Sequence, residues 1–509
     1  MKKFFLSSLL IVSSFVSYSP AQTKKNPPPQ TKQTTITKPA ATQQALEIPF
    51  VTKTLPNGLE VIVLQDSAVP IVTVEMAVRN GSFTEPPELN GLSHLYEHMF
   101  FKPNQGLIAY QCEQAMARGG QLNELGKRVC AEPLRLKSQI GDLGYLTDLD
   151  KIYYDRNGTT NEEYVNYYFT TMSGNLPTIM RLMHDAMLFP SFQDDEFKEE
   201  IQVVLGELDR LMSEPGYALD RTLMDKLFYK YPTRKSRGGT RETVAAATIE
   251  QMRLIQSRYY IPNNSALIVT GDAEPEKVFK LAEDLFGGWK RGEDPFVKFP
   301  IVDHPPLAKS EGVIINKAGL ESVYVQIGWQ GPSVGKDNAS TYAADVFSYI
   351  VQQPGSRLQR ALVDSGLAAG VEVHYYTQRN VGPIRITLST TPEKVNAALD
   401  VLYKEIAQFN NPNYFTDEEL ANAKTLLEAE DLFRREKLSE YTHSLGFWWS
   451  STGIDYYRGY YKNLRDISRA DIKRYVSTYI LDKPHVGVAL ISAADQQKAK
   501  LTEQNLIGK

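Results

Sequence analysis

The stretch that most constrains this chain is Gly91-Leu92-Ser93-His94-Leu95-Tyr96-Glu97-His98-Met99-Phe100-Phe101-Lys102. The loop Glu85 to Asn90 before it carries two prolines, and no Gly or Pro falls between Leu92 and Lys102, so the stretch reads as a helix. On such a helix His94 and His98 stand one turn apart on one face, and Glu97 lies beside them at i+3 from His94. Leu92, Leu95 and Met99 recur at the spacing of a core-facing stripe. Two imidazoles so placed can hold one metal ion, and the neighbouring carboxylate can act as a base.

The order H-x-x-E-H reverses the commoner H-E-x-x-H zinc-protease helix and is the inverzincin signature. A two-histidine site of this kind lacks a third ligand. Downstream, Asp194 to Met212 reads as a long helix with Val203, Val204, Leu205 and Leu208 on its apolar side and Pro215-Gly216 at its end. Glu200 and Glu207 are seven apart on it, two full turns, and project from about the same face. Alone they would be ordinary solvated acids; next to an incomplete metal site they are candidates.

At 509 residues the chain has room for two domains, each with its own core. Its 56 basic and 60 acidic residues leave a net charge of −4, so no basic field exists for nucleic acid. Met1-Lys2-Lys3, the apolar run Phe4 to Tyr18 and Ser19-Pro20-Ala21 read as a secretory signal peptide, residues 1–21, directing export to the periplasm or beyond. The run is too short and too serine-rich for a stable membrane span. Residues 22–46, rich in Pro, Gln, Thr and Lys, read as a flexible linker.

From residue 47 the pattern becomes globular. Phe50 to Thr54 and Leu59 to Gln65 flank an Asn57-Gly58 turn, Ile71 to Val78 adds a strand, and the metal helix follows. Residues 104–150 form an insertion that holds the chain's two cysteines, Cys112 and Cys130, compatible with either a disulfide or two thiols. Asp155 to Glu163 reads as a turn leading into a strand, with a helix from Leu176 to Met187 beyond it. A pattern of capping residue, helix, turn and apolar strand runs from Thr248 to Thr270 and returns from Ser468 to Ile491. Two similar α+β domains are therefore expected, each a mainly antiparallel sheet packed with helices: residues 47–294 and 311–509, joined by a Pro-rich linker at 295–310. The second has no histidine pair. Its strands are expected at Val323 to Gln330 and Ile384 to Leu388, and its helices at Thr341 to Val351 and Glu418 to His443. His374 and His443 stand alone and read as hydrogen-bonded structural residues.

From Phe50 to Ala493 the sequence resembles the pitrilysin/insulinase family of zinc peptidases, which includes the mitochondrial processing peptidases and their bacterial relatives. The resemblance implies one Zn2+ per chain, bound by His94 and His98, with Glu97 activating water. It further implies Glu207 as third ligand and Glu200 as a supporting carboxylate. The interval between His98 and Glu207 is longer than usual in the family, which assigns the excess to the insertion; Glu196 and Glu199 are the alternative ligands. Asn157 to Glu163 resembles the family's N-A-x-T-x-x-E strand entry, with Gly158 in the place of Ala. This implies an edge strand, including Asn157 and Gly158, that pairs with the substrate backbone. Ser356 to Ala369 resembles the segment that in single-chain relatives carries an Arg and a Tyr reaching the substrate carbonyl. Val363 and Ala369 occupy those positions here, and neither can donate a hydrogen bond. The chain is thus expected to be a zinc endopeptidase for short or unfolded peptides, working as the catalytic subunit of a heterodimer or homodimer with a same-fold partner that supplies Arg and Tyr. The alternative is a non-catalytic, zinc-containing peptide-binding or assembly subunit.

Overall fold

Strands rich in β-branched and aliphatic residues build two sheets in the computed structural model, which describes residues 48–102, 104, 112 and 153–509. The expected signal peptide, the linker that follows it and nearly all of the 104–150 insertion lie outside the described residues. Cys112 is disulfide-bonded; Cys130 lies outside the described residues.

The first sheet contains β1 (Val51–Thr54), β2 (Glu60–Gln65), β3 (Ile71–Val78), β4 (Tyr153–Thr160), β5 (Val165–Met172) and β6 (Ser265–Gly271), in the order β1-β2-β6-β3-β5-β4. The second contains β7 (Glu311–Asn316), β8 (Val323–Gln330), β9 (Gly370–Tyr375), β10 (Pro383–Thr390) and β11 (Val486–Ile491), in the order β7-β11-β8-β10-β9. Without β1 the two orders are the same, strand for strand. Among the described residues each sheet has one parallel pair, β2 with β6 and β7 with β11, and is otherwise antiparallel. The strands β6 and β11 are buried along their whole length, which is why they read as unbroken apolar runs.

The repeat seen in the sequence is the closing part of this whole-domain repeat. The helices α4 (Ile249–Tyr259) and α7 (Arg469–Tyr479) each begin with a capping box, Thr248 with Gln251 and Ser468 with Asp471, that satisfies otherwise orphaned backbone N–H groups. Earlier in the chain come α1 (Leu92–Phe100), α2 (Asp194–Ser213) and α3 (Pro215–Leu227). In the second half α5 (Asp417–Glu436) precedes α6 (Leu438–Ser451).

The two halves exchange helices. Leu219, Leu223, Met224 and Leu227 of α3 share a core with Val486, Val488 and Leu490 of β11. Reciprocally, Tyr441, Leu445 and Trp449 of α6 belong to a core that includes Ile62, Ala77 and Ile268 of the first sheet. Thr442 and Thr270 hydroxyls meet at 2.5 Å across this contact. The single helix expected from Glu418 to His443 is therefore two. Lys437, at φ −109° and ψ 86°, breaks it so that α6 can turn toward the other sheet, a tertiary demand that no Gly or Pro announces.

At the centre of that contact, His443 on α6 donates to the fully buried Glu75 on β3. Burial works against charge on His443, but the charge and hydrogen bond of Glu75 outweigh it and raise its pKa above the ordinary 6.5. A raised folded pKa means that the contact stabilises fully below the unfolded value and that this contribution is lost as pH climbs through the folded one. Thermal unfolding of the full chain should thus show a melting temperature that falls as pH rises above 6.5. The slope should flatten in His443→Gln; identical slopes in the two proteins would contradict the assignment.

Candidate metal centre

The short helix α1 is anchored before it begins. Gly91 takes φ 92°, and the buried Glu85 accepts the N–H of Gly91 at 2.8 Å and of Ser93 at 2.6 Å, closing the open N-terminus. Leu92, Leu95 and Met99 point into the core of the first half, as their spacing predicts. The opposite face, carrying His94 and His98, is thereby turned toward α2.

There Glu207 Oε2 lies 3.6 Å from His94 Nε2 and 3.5 Å from His98 Nε2. The imidazoles meet edge-on, with centroids 4.9 Å apart. One ligand atom from each of the three residues falls within 4.8 Å of the others. Four ligands at the usual zinc distances of about 2.0–2.1 Å in a tetrahedron stand about 3.4 Å from one another. The spacing and donor set therefore fit a zinc ion. Glu196 and Glu199, the alternatives on α2, are not in the cluster found among the described residues.

Orientation comes from a second carboxylate. His98 Nδ1 donates to Glu200 Oε2 at 3.0 Å, which turns Nε2 toward Glu207, where it can bind a metal ion once the ion displaces its proton. Lys102 Nζ, one turn further along, donates to the other oxygen of Glu200. His94 Nδ1 is buried and finds no hydrogen-bond partner among the described residues.

The charges favour a cation here. Burial opposes charge on His98, yet the hydrogen bonds of Glu200 and Glu207 lift its pKa to about 10. Burial likewise opposes ionisation of Glu207 and Glu200, but His98 holds both below the usual carboxylate range. His94, buried and beside His98, is held down to about 4 and is neutral at physiological pH, the form that binds metal.

Glu97 stands apart from the ligand cluster. It is only 9% exposed, and its Oε2 accepts the Thr160 hydroxyl at 2.6 Å. Burial raises its pKa to about 7 against the opposing charge of His98 and the Thr160 hydrogen bond. A carboxylate so placed can exchange protons near neutral pH.

The residues Asn157 and Gly158 lie within β4, the edge strand of the first sheet among the described residues, and not in a turn. Gly158 registers with Tyr167 and Asn157 with Tyr168, while the reversal comes later, where Asn161 N–H donates to Tyr164 O at 2.9 Å. Asn-Gly favours a tight turn in isolation. Here the absence of a side chain serves another end: a Cβ on Gly158 would sit 2.7 Å from Glu97 Cγ, so glycine lets the strand close onto the carboxylate. Asn157 Oδ1 accepts the N–H of Gly158 at 3.0 Å.

Three neighbours went unassigned in the sequence. Thr160 is the Thr of the strand-entry motif and Lys102 closes the metal stretch, so both had a local signal. Glu85 caps α1 from outside the helical pattern and had none.

The chain is similar to known proteins over most of its length. Residues 60–123 and 138–241 match the model described as Insulinase (Peptidase family M16), and residues 246–427 match the one described as Peptidase M16 inactive domain. The histidine pair, Glu97, Glu200 and Glu207 all fall in the first. The zinc protease PqqE of Helicobacter pylori is 22% identical over 443 residues, 86% of this chain and 91% of its own length. A solved protease structure from Helicobacter pylori superposes with a TM-score of 0.72 at 21% identity, covering 87% of this chain and 99% of that one. The periplasmic protease PqqL from Escherichia coli gives a TM-score of 0.66 at 16% identity, covering 90% of this chain but 49% of that one. With family models spanning most of its length and its fold shared with these structures, the chain belongs to the insulinase family of peptidases, M16.

Proposed function

We propose that this chain is a zinc-dependent endopeptidase acting on short or unfolded peptides. The observation that carries the reading is the division of labour around α1: three side chains at ligand spacing, and a fourth, Glu97, buried beside them but outside the cluster. Structural zinc sites are normally closed by four protein ligands, whereas three ligands and a free base describe a hydrolytic site. Bound zinc supplies Lewis acidity, polarising a peptide carbonyl and making water easier to deprotonate near neutral pH.

The chain's own groups do the rest. His94, His98 and Glu207 hold the ion; Glu200 and Lys102 fix the His98 ring. Glu97 takes the proton of the attacking water and returns it to the leaving amine, with Thr160 keeping the carboxylate aimed. The edge of β4 at Asn157 and Gly158 pairs with the substrate backbone. In this reading residues 47–294 form the catalytic domain and 311–509 its metal-free counterpart, with 295–310 between them. The expected signal peptide sends the protein to the periplasm or outside the cell. No helix among the described residues is long and apolar enough to cross a membrane.

A hydrolytic site also needs donors for the developing oxyanion. Val363 and Ala369 cannot provide them, so a same-fold partner supplying Arg and Tyr completes the site. That PqqL carries about twice this length in one chain supports such a pairing. The test is zinc analysis and peptide cleavage with and without a same-fold subunit. One zinc per chain, loss of activity on chelation, and a gain of about 10²–10³ in kcat on adding the partner are expected. Equal activity of the single chain would remove the partner. The absence of those donors also favours a second reading, a non-catalytic zinc-containing peptide-binding subunit, which predicts zinc and peptide binding but no cleavage in either state.

A further inference from the structure

Beyond the metal cluster, one cation is built into the same wall. Arg237 sits in a loop clamped to both site helices. Asn90, just before α1, donates from Nδ2 to Ser236 O at 2.9 Å and to Thr233 O at 3.1 Å. A Cβ on Gly91 would meet Gly238 O at 2.5 Å, and one on Gly238 would lie 2.8 Å from Cδ2 of Leu208, the residue after Glu207. The loop therefore lies directly against the start of α1 and the ligand end of α2, with no space for a side chain between them.

The guanidinium is tied to the far end of the edge strand. Nη1 donates to Asn161 Oδ1 at 3.0 Å, and Nε lies 3.8 Å from Glu162 Oε1. Asn161 follows Thr160, the residue that holds Glu97. The Arg237 side chain is nonetheless 51% exposed, against 13% for Glu162. Glu162 faces Nε, Asn161 takes Nη1, and Asp220, Tyr164 and Tyr376 also act on the group; with half of the side chain exposed, the remaining N–H donors are left for a ligand. The charge also reaches His94, where it counts among the influences that favour the neutral ring.

We propose that Arg237 is a substrate-binding residue that pairs with a carboxylate on the bound peptide and gives the site a preference for acidic substrates. This rests on the peptidase reading above. Gly158 marks the position of Glu97 along β4, and Asn161 lies three residues further on, about 10 Å at strand rise. A peptide pairing with β4 carries there a side chain two or three residues from the scissile bond. A carboxylate matches the guanidinium fork in a bidentate, charge-assisted pair. An acidic side chain and a peptide C-terminus offer the same group.

The experiment uses the full chain, with its partner subunit if one is required, and matched peptides differing only at the third residue from the cut: Glu, Gln or Lys with an amidated C-terminus, and a peptide ending there in a free carboxylate. Wild type should favour Glu over Gln by about tenfold or more in kcat/KM, mainly through KM. Preference for the free-carboxylate peptide instead assigns Arg237 to the C-terminus. Arg237→Gln should erase the discrimination while leaving the Gln peptide within about twofold, Arg237→Lys should keep part of it, and Arg237→Glu should favour the Lys peptide. Equal losses on all peptides, or unchanged discrimination, would make Arg237 a structural counter-charge and overturn the proposal. Anisotropy binding of the same peptides to the zinc-loaded Glu97→Gln protein, with and without the added Arg237→Gln change, separates this outcome from failure of the peptidase reading. Charge-dependent binding without turnover leaves Arg237 assigned, and charge-independent binding rejects it.

Discussion

Glu97→Gln is expected to lower kcat on a peptide substrate by about 10³-fold while zinc content and fold stay as they are. The amide keeps the shape of the carboxylate and can still meet the Thr160 hydroxyl, but it cannot take a proton. Because Glu97 is outside the ligand cluster, the metal does not depend on it. Because burial already pushes its pKa to about 7, removing the ionisable group relieves a cost of burial, so no loss of stability is expected. Zinc analysis, circular dichroism and turnover on one preparation check all three points. Retained turnover would remove Glu97 as base, and lost zinc would make it a ligand.

The second large effect separates the two carboxylates of α2. Glu207→Ala removes the proposed third ligand and should abolish stoichiometric zinc at micromolar concentrations, and hydrolysis with it. Glu200→Gln removes only the charge, and one of the two acceptor oxygens, that His98 Nδ1 and Lys102 meet; changes to outer partners of this kind typically cost about 10–100-fold in metal affinity or activity. Competition titration against a chromogenic chelator measures both. Equal losses in the two variants, or zinc retained in Glu207→Ala, would reverse the roles assigned to them.

How far the sequence reaches is visible residue by residue. The metal helix is a local object: the His94, Glu97 and His98 spacing and the Leu92, Leu95 and Met99 stripe need only helical geometry, and the structure keeps both. Glu207 is less local. Its face on α2 follows from its spacing to Glu200, but the meeting of α2 with α1 across the long insertion rested on family resemblance alone. The turn expected from Asp155 onward comes later, at Asn161 to Tyr164, because local preference for a reversal lost to pairing with β5 and to the close approach of Glu97. Likewise, Lys437 has no helix-breaking chemistry; only the need for α6 to cover the other sheet bends the chain there. Arg237 follows the same rule, since its place beside the site depends on glycine contacts with α1 and α2 that no short-range pattern encodes. What can be read is set by neighbours in sequence, and what is missed is set by neighbours in space.

The central claim is that His94, His98 and Glu207 hold one zinc ion and that Glu97 does not touch it. Anomalous diffraction from zinc-loaded crystals, recorded on both sides of the zinc edge, locates the ion directly. The account predicts one peak per chain within about 2.0–2.2 Å of His94 Nε2, His98 Nε2 and a Glu207 oxygen, with no other protein ligand. A peak held by Glu97, Glu196 or Glu199, or a site closed by four side chains, would contradict it.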